Sequence, residues 1–152
     1  MKSVALPANN LQVVPETAPA RLLLVRHGQS EWNALGKMQG HADSPLSPEG
    51  RKQARNAARR LGVFDLIVSS DLLRASETAN LIAEEMGLSV LPPHPGLREI
   101  NVGPWQGLTR REIDKKFPGY VEHDMRPPGY EPDHEVFARV SSALCDISRD
   151  HP

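Results

Sequence analysis

What most constrains the fold of this chain is Leu22-Leu23-Leu24-Val25, an unbroken apolar run that stops abruptly in Arg26-His27-Gly28. Apolar residues without alternation fit a central strand buried on both faces better than a surface strand wetted on one. The polar cluster behind the run then sits at the carboxyl end of that strand, where open α/β sheets bind their ligands. Alone, Arg26 would be read as a solvated cation and His27 as a structural histidine. Together at a strand end, with Asn33 close behind, they form a candidate site.

The chain goes on in the same alternation. Ser47, Pro48 and Glu49 are helix-start signals, and Ala54, Ala57, Ala58 and Leu61 give that helix a small apolar face that Gly62 should end. Phe64 to Val68 reads as a second strand. A helix with Ala75, Thr78, Ala79, Ile82, Ala83 and Met86 on one face follows it to Gly87, and Leu88 to Leu91 reads as a third strand. Strands alternating with helices demand parallel pairing with right-handed crossovers. The expected class is α/β, a parallel-rich doubly wound sheet flanked by helices. Arg51, Arg55, Arg59 and Arg60 read as a solvated outer face and not as an anion patch. Further on, Thr109 and Glu112 make a capping box for a helix from Thr109 to Phe117, and Asp133 should cap a last helix carrying Phe137, Val140, Leu144 and Ile147 on one face.

Composition sets the outer limits. With 152 residues, 24% of them charged, the chain is one globular domain, expected over 21–152. Residues 1–20, broken by Pro7, Pro15 and Pro19, read as a flexible leader. A net charge of -1 gives no electrostatic case for nucleic acid or an anionic membrane, so an anion site must be assembled from local arginines. The single cysteine, Cys145, fits a reducing, cytoplasmic setting, and no apolar run reaches membrane-spanning length.

Arg26-His27-Gly28-Gln29-Ser30-Glu31-Trp32-Asn33 resembles the Arg-His-Gly signature of the histidine phosphatase superfamily, whose best-known branch is the cofactor-dependent phosphoglycerate mutases. Further segments match in the family's order. Gln39-Gly40-His41-Ala42-Asp43-Ser44-Pro45-Leu46 is similar to the loop that shapes one side of the pocket. Ser69 to Ala79 is similar to the segment that carries a second phosphate-binding arginine, here Arg74. An arginine in the first turn of a helix opposes the macrodipole, which makes sense if an anion lies between it and the helix amino terminus. Leu97-Arg98-Glu99 through Gly103, Trp105 and Gly107 resembles the family's acid loop, with Gln106 where many members have a second glutamate.

The resemblance implies His27 as nucleophile and Glu99 as general acid. It implies Arg26, Asn33 and Arg74 as phosphate ligands, and Gly28, Gln39 and Gly40 as further parts of the substrate pocket. No metal and no cofactor is implied. A neutral imidazole suits attack on a dianionic monoester, because it meets no charge repulsion. The expected function is hydrolysis of a small phosphorylated metabolite through a phosphohistidine. Phosphorylated sugars, glycerate derivatives and cofactor precursors such as alpha-ribazole phosphate are candidate substrates, with free phosphate as a ligand and a homodimer allowed. A phosphoglycerate mutase is the alternative; it is disfavoured because Arg110-Arg111 lies in the short helix after Thr109 and no longer insertion follows. The family pattern also has a later strand closing with a second histidine beside a glycine, which these 152 residues do not contain. The chain therefore reads as truncated at its carboxyl end, with its C-terminal strand or strands missing. An inactive phospho-ligand-binding fragment is the remaining reading, and Leu22 to Val25 should then form an unpaired edge.

Overall fold

The computed structural model describes residues 20–151, so all of the expected leader except Ala20 lies outside the described residues. The elements in order are α1 (Glu31–Ala34), α2 (Pro48–Ala58), α3 (Leu73–Met86), α4 (Arg110–Lys116) and α5 (Asp133–Asp150), with short 3-10 turns at Pro95–Leu97 and Gly103–Trp105. No described helix is long and apolar enough to cross a membrane.

Local chemistry sets most of these boundaries. Ser47 accepts the Gly50 N–H at the start of α2, with Pro48 in the first turn, and Gly87 ends α3 in the left-handed region at φ 67°. Thr109 and Glu112 cap each other at α4. Two ends differ from expectation. Helix α2 stops at Ala58 with Arg59 as its cap, before Gly62, where the last turn tightens and the Arg60 N–H takes the Ala57 carbonyl in a 3-10-type bond at 2.8 Å. Pro132, extended at ψ 143°, is the residue that precedes α5, so Asp133 is inside the helix and pairs with Arg126.

Helices α2 and α3 pack against each other through Ala54 and Ala58 on one side and Ala79, Ile82 and Ala83 on the other, all buried. Their rims carry an ion-pair ladder. Arg51 meets Glu77 at 3.4 Å, Arg55 meets Glu84 and Glu85 at 3.1 Å, and Arg59 meets Glu85 at 3.5 Å. Three of the four arginines expected on a solvated face, Arg51, Arg55 and Arg59, are therefore paired with α3, while Arg60 is exposed. A second cluster, Val102, Trp105 and Ile113, anchors the chain from Ile100 to Tyr130, with Trp105 edge-on to Tyr130 at 5.4 Å and to Phe117 at 6.4 Å.

The sheet is where the structure departs most from the sequence. Ile67 and Val90 form a parallel bridge, with the Leu91 N–H donating to the Ile67 carbonyl at 2.8 Å, as the strand-helix-strand reading requires. The buried strand expected over Leu22 to Val25 does not form: these side chains are exposed, Leu24 to 77%. An apolar run becomes a strand only when a neighbour takes up its N–H and C=O groups, and no described segment is bridged to this one. Among the described residues the run is exposed and unpaired, and the expected parallel-rich sheet is reduced to the single parallel bridge between Ile67 and Val90.

Candidate active site

The site starts with His27, placed by the chain on both sides of it. The Gly28 N–H donates to Thr78 Oγ1 on α3 at 3.1 Å, and Thr78 Oγ1 donates in turn to the Arg74 carbonyl at 2.8 Å. Gly28 is buried so tightly that a Cβ on it would lie 2.3 Å from the Gly50 carbonyl oxygen, while a Cβ on Gly50 would lie 2.0 Å from the Gln29 carbonyl oxygen. Backbone thus rests on backbone where the His27 turn meets α2. These contacts leave the imidazole at the surface of the packing, half-buried and facing out.

Its hydrogen bonds define its tautomer. Nδ1 lies 2.6 Å from the Gly28 carbonyl, which can only accept, so Nδ1 carries the proton. Nε2 lies 3.2 Å from Arg74 Nε, whose N–H can only donate, so Nε2 presents its lone pair. Burial holds the imidazole below its ordinary pKa, the neighbouring Arg74 and Arg26 push the same way, and the Gly28 carbonyl and Glu99 oppose them. His27 is thereby held neutral with Nε2 unprotonated, the form a nucleophile needs.

Around it, Arg26, His27, Gln29, Asn33 and Gln53 line an open depression of about 320 Å³. The three amides there have their oxygens tied inward. Asn33 Oδ1 accepts the Ser30 N–H at 3.1 Å, Gln53 Oε1 accepts the Gln29 N–H at 2.9 Å, and Gln29 Oε1 accepts from Ser47 Oγ at 2.8 Å. Among the described residues their NH2 groups have no hydrogen-bond partner, so with Arg26 these residues can offer donors to an anion in the depression. Asn33 owes its place to α1, which it caps reciprocally with Ser30.

Arg74 lies beneath this surface, 1% exposed. Besides His27 it donates to the Gly40 carbonyl through Nη2 at 2.8 Å and to the Ala42 carbonyl through Nη1 at 3.0 Å. Burial lowers its pKa, against the pull of Glu99 and Asp43. At the amino terminus of α3 the Leu73 N–H is held by Asp43 Oδ1 at 2.8 Å. Gly40 and Gln39 support the site from behind and do not line the depression. Gly40 turns at φ 54°, with Val102 Cγ2 where a Cβ would stand at 2.8 Å, and Gln39 Oε1 accepts from Ser30 Oγ at 2.5 Å.

Glu99 stands on the exposed acid loop, with its Oε1 accepting the Ile100 N–H at 2.9 Å. Its charge opposes the lowering of the His27 and Arg74 pKa values. Gln29 and Gln53 were not among the residues singled out from sequence; the helical spacing of Gln53 relative to the Ser47 cap is the one signal that could have aimed it at the turn.

The family model of the histidine phosphatase superfamily (branch 1) matches residues 22–152. The chain belongs to the histidine phosphatase superfamily. It is 40% identical over 139 residues to glucosyl-3-phosphoglycerate phosphatase of Mycobacterium tuberculosis, covering 87% of this chain and 62% of the relative. It is 37% identical to phosphoserine phosphatase 1 of Hydrogenobacter thermophilus, covering 86% of this chain and 65% of that protein. The solved structure of a mycobacterial glucosyl-3-phosphoglycerate phosphatase with VO3 matches at a TM-score of 0.73 and 38% identity, covering 83% of this chain and 63% of the other. The superfamily's α/β, phosphoglycerate-mutase-like fold is therefore the frame of this chain, which spans less than two thirds of the length of these relatives.

Proposed function

We propose that this histidine phosphatase domain hydrolyses the phosphate monoester of a small hydroxylated metabolite, with His27 Nε2 as nucleophile. The observation that carries the reading is the donation from Nδ1 to the Gly28 carbonyl at 2.6 Å, which reserves Nε2 for attack. The phosphoryl group would enter the donor-lined depression, with its oxygens against Arg26 and Asn33 Nδ2 and the Arg74 Nε–H transferring from His27 to an oxygen of the ester. Attack forms the Nε2–P bond as the ester P–O bond breaks, and Glu99 gives its proton to the departing oxygen. Water then attacks the phosphohistidine, Glu99 takes the proton back, and phosphate leaves with imidazole restored.

One observation supports a phosphatase rather than a mutase: Arg110 is occupied by Asp114 on its own short helix, 2.9 Å away. Similar proteins are named both as phosphatases and as phosphoglycerate mutases. The amides of Gln29 and Gln53 beside the phosphate site suit hydroxyl-rich partners, so a sugar- or glycerate-derived monoester is the substrate class we assign.

Labelling the full-length protein with a phosphate donor, followed by quenching and peptide mass spectrometry, tests the reading. A base-stable, acid-labile adduct on the peptide containing His27, lost in His27→Ala, is the expected result. A folded protein that turns over substrate with no such adduct, or an adduct that persists in the variant, overturns it.

A further inference from the structure

The acid loop is irregular, so its backbone groups find no partners in a helix or sheet and must be held from elsewhere. Three of its carbonyls are held by one side chain on α5. Arg139 Nη1 donates to the Gly96 carbonyl at 3.0 Å and the Arg98 carbonyl at 2.6 Å, and Nη2 donates to the Glu99 carbonyl at 3.0 Å. Its remaining donors close on Glu131, Nε to Oε1 at 2.6 Å and Nη2 to Oε2 at 2.9 Å. Glu131 carries the clamp past Glu99, because its Oε2 accepts the Asn101 N–H at 2.8 Å and its own N–H donates to the Asn101 carbonyl at 2.8 Å. From the opposite side, His41 Nε2 donates to the Glu99 carbonyl at 2.8 Å, and the Arg98 side chain is paired with Asp71 beside α3.

We infer that Arg139, with Glu131, is a positioning residue that aims Glu99 at the leaving group, by fixing the carbonyls of Gly96, Arg98 and Glu99 and the N–H of Asn101. The inference rests on the proposed role of Glu99 as proton donor. A planar guanidinium is the one side chain able to span three carbonyls and a carboxylate together. Its charge is matched by Glu131, which is itself held at a pKa of about 2, chiefly by Arg139. The clamp therefore fixes the loop without adding net charge to the site. The Glu99 side chain is exposed and among the described residues hydrogen-bonds only the Ile100 N–H, so its aim is set through the main chain.

A merely structural clamp and a positioning clamp differ in how their loss depends on the leaving group. In the full-length protein, kcat/KM is compared for glycerol phosphate, whose alkoxide needs a proton, and 2,4-dinitrophenyl phosphate, whose phenolate does not. Glu99→Gln provides the reference pattern. Arg139→Gln is expected to lose about tenfold or more on glycerol phosphate and less than about twofold on the dinitrophenyl ester. Glu131→Gln, a milder cut, should show the same pattern more weakly, and it stands in if the arginine variant fails to fold. Equal losses on both esters, or no loss on either, overturn the inference while the Glu99 reference pattern stands. If Glu99→Gln itself shows no dependence on the leaving group, it is the acid assignment that falls.

Discussion

Arg74 Nε donates to His27 Nε2 at 3.2 Å, so the buried cation beside the phosphate site holds the very lone pair that must attack. The same guanidinium ties down the carbonyls of Gly40 and Ala42. Nucleophile, loop and the first turn of α3 thus share one side chain. Replacing it tests whether the three functions are separable.

Arg74→Lys keeps the charge but cannot supply this fork. Phosphohistidine formation is expected to fall at least about tenfold in single-turnover labelling, and denaturant unfolding should show a loss of about 1.5–3 kcal/mol from charge-assisted bonds left unmade. A variant that labels and unfolds like the parent would contradict the shared role.

The pH dependence follows from the sign of the His27 shift. Its folded pKa lies below the 6.5 of an unperturbed imidazole, mainly through burial. The neutral, attacking form therefore persists as pH falls through 6.5 and is lost only below it. Linkage runs the same way: the contribution of His27 to stability is fully present above 6.5 and disappears as pH drops through the lower folded value. An NMR titration of the His27 ring with a midpoint above 6.5 would falsify this.

Glu131 gives an acid-side counterpart. Its carboxylate, held at about 2 by Arg139, stabilises the fold fully above its unfolded value of 4.5, and that contribution fades as pH falls toward 2. The stability gap between the parent and Glu131→Gln should accordingly be constant above pH 4.5 and shrink on acidification. Urea midpoints measured across that range decide it.

Gly28→Ala and Gly50→Ala should each destabilise by overpacking, on the order of 1–3 kcal/mol or more, since backbone and not a movable side chain stands in the way. Gly62→Ala, with nothing within 4 Å of the added methyl, is the control and should unfold like the parent. Thermal unfolding of the three side by side makes the comparison.

Local signals were legible in the sequence because local chemistry decides them. Ser47, Gly87 and the Thr109 and Glu112 pair mark helix ends where the structure has them. The placement of Arg74 in a first turn pointed to a bound anion, whereas the N–H at that helix end is held by Asp43, thirty positions back in the chain. What stayed hidden depends on distant pairs. Nothing near Arg139 announces the loop it grips forty residues earlier, and the Gln53 amide gains meaning only when α2 meets the His27 turn. Leu22 to Val25 illustrates the opposite error: apolarity names a strand's preference, while pairing decides whether one exists.

The contact between Gly28 and Gly50 bears on how such an enzyme could be redesigned. With peptide groups touching at the His27 turn, the spacing between the nucleophile and α2 has no side chain through which it could be tuned. Gln29 and Gln53, by contrast, stand at the rim on the same two segments, and each also bonds across the seam, Gln53 Oε1 to the Gln29 N–H and Gln29 Oε1 to Ser47 Oγ. A library at those two positions would keep the reaction centre in place only with side chains that still accept these bonds.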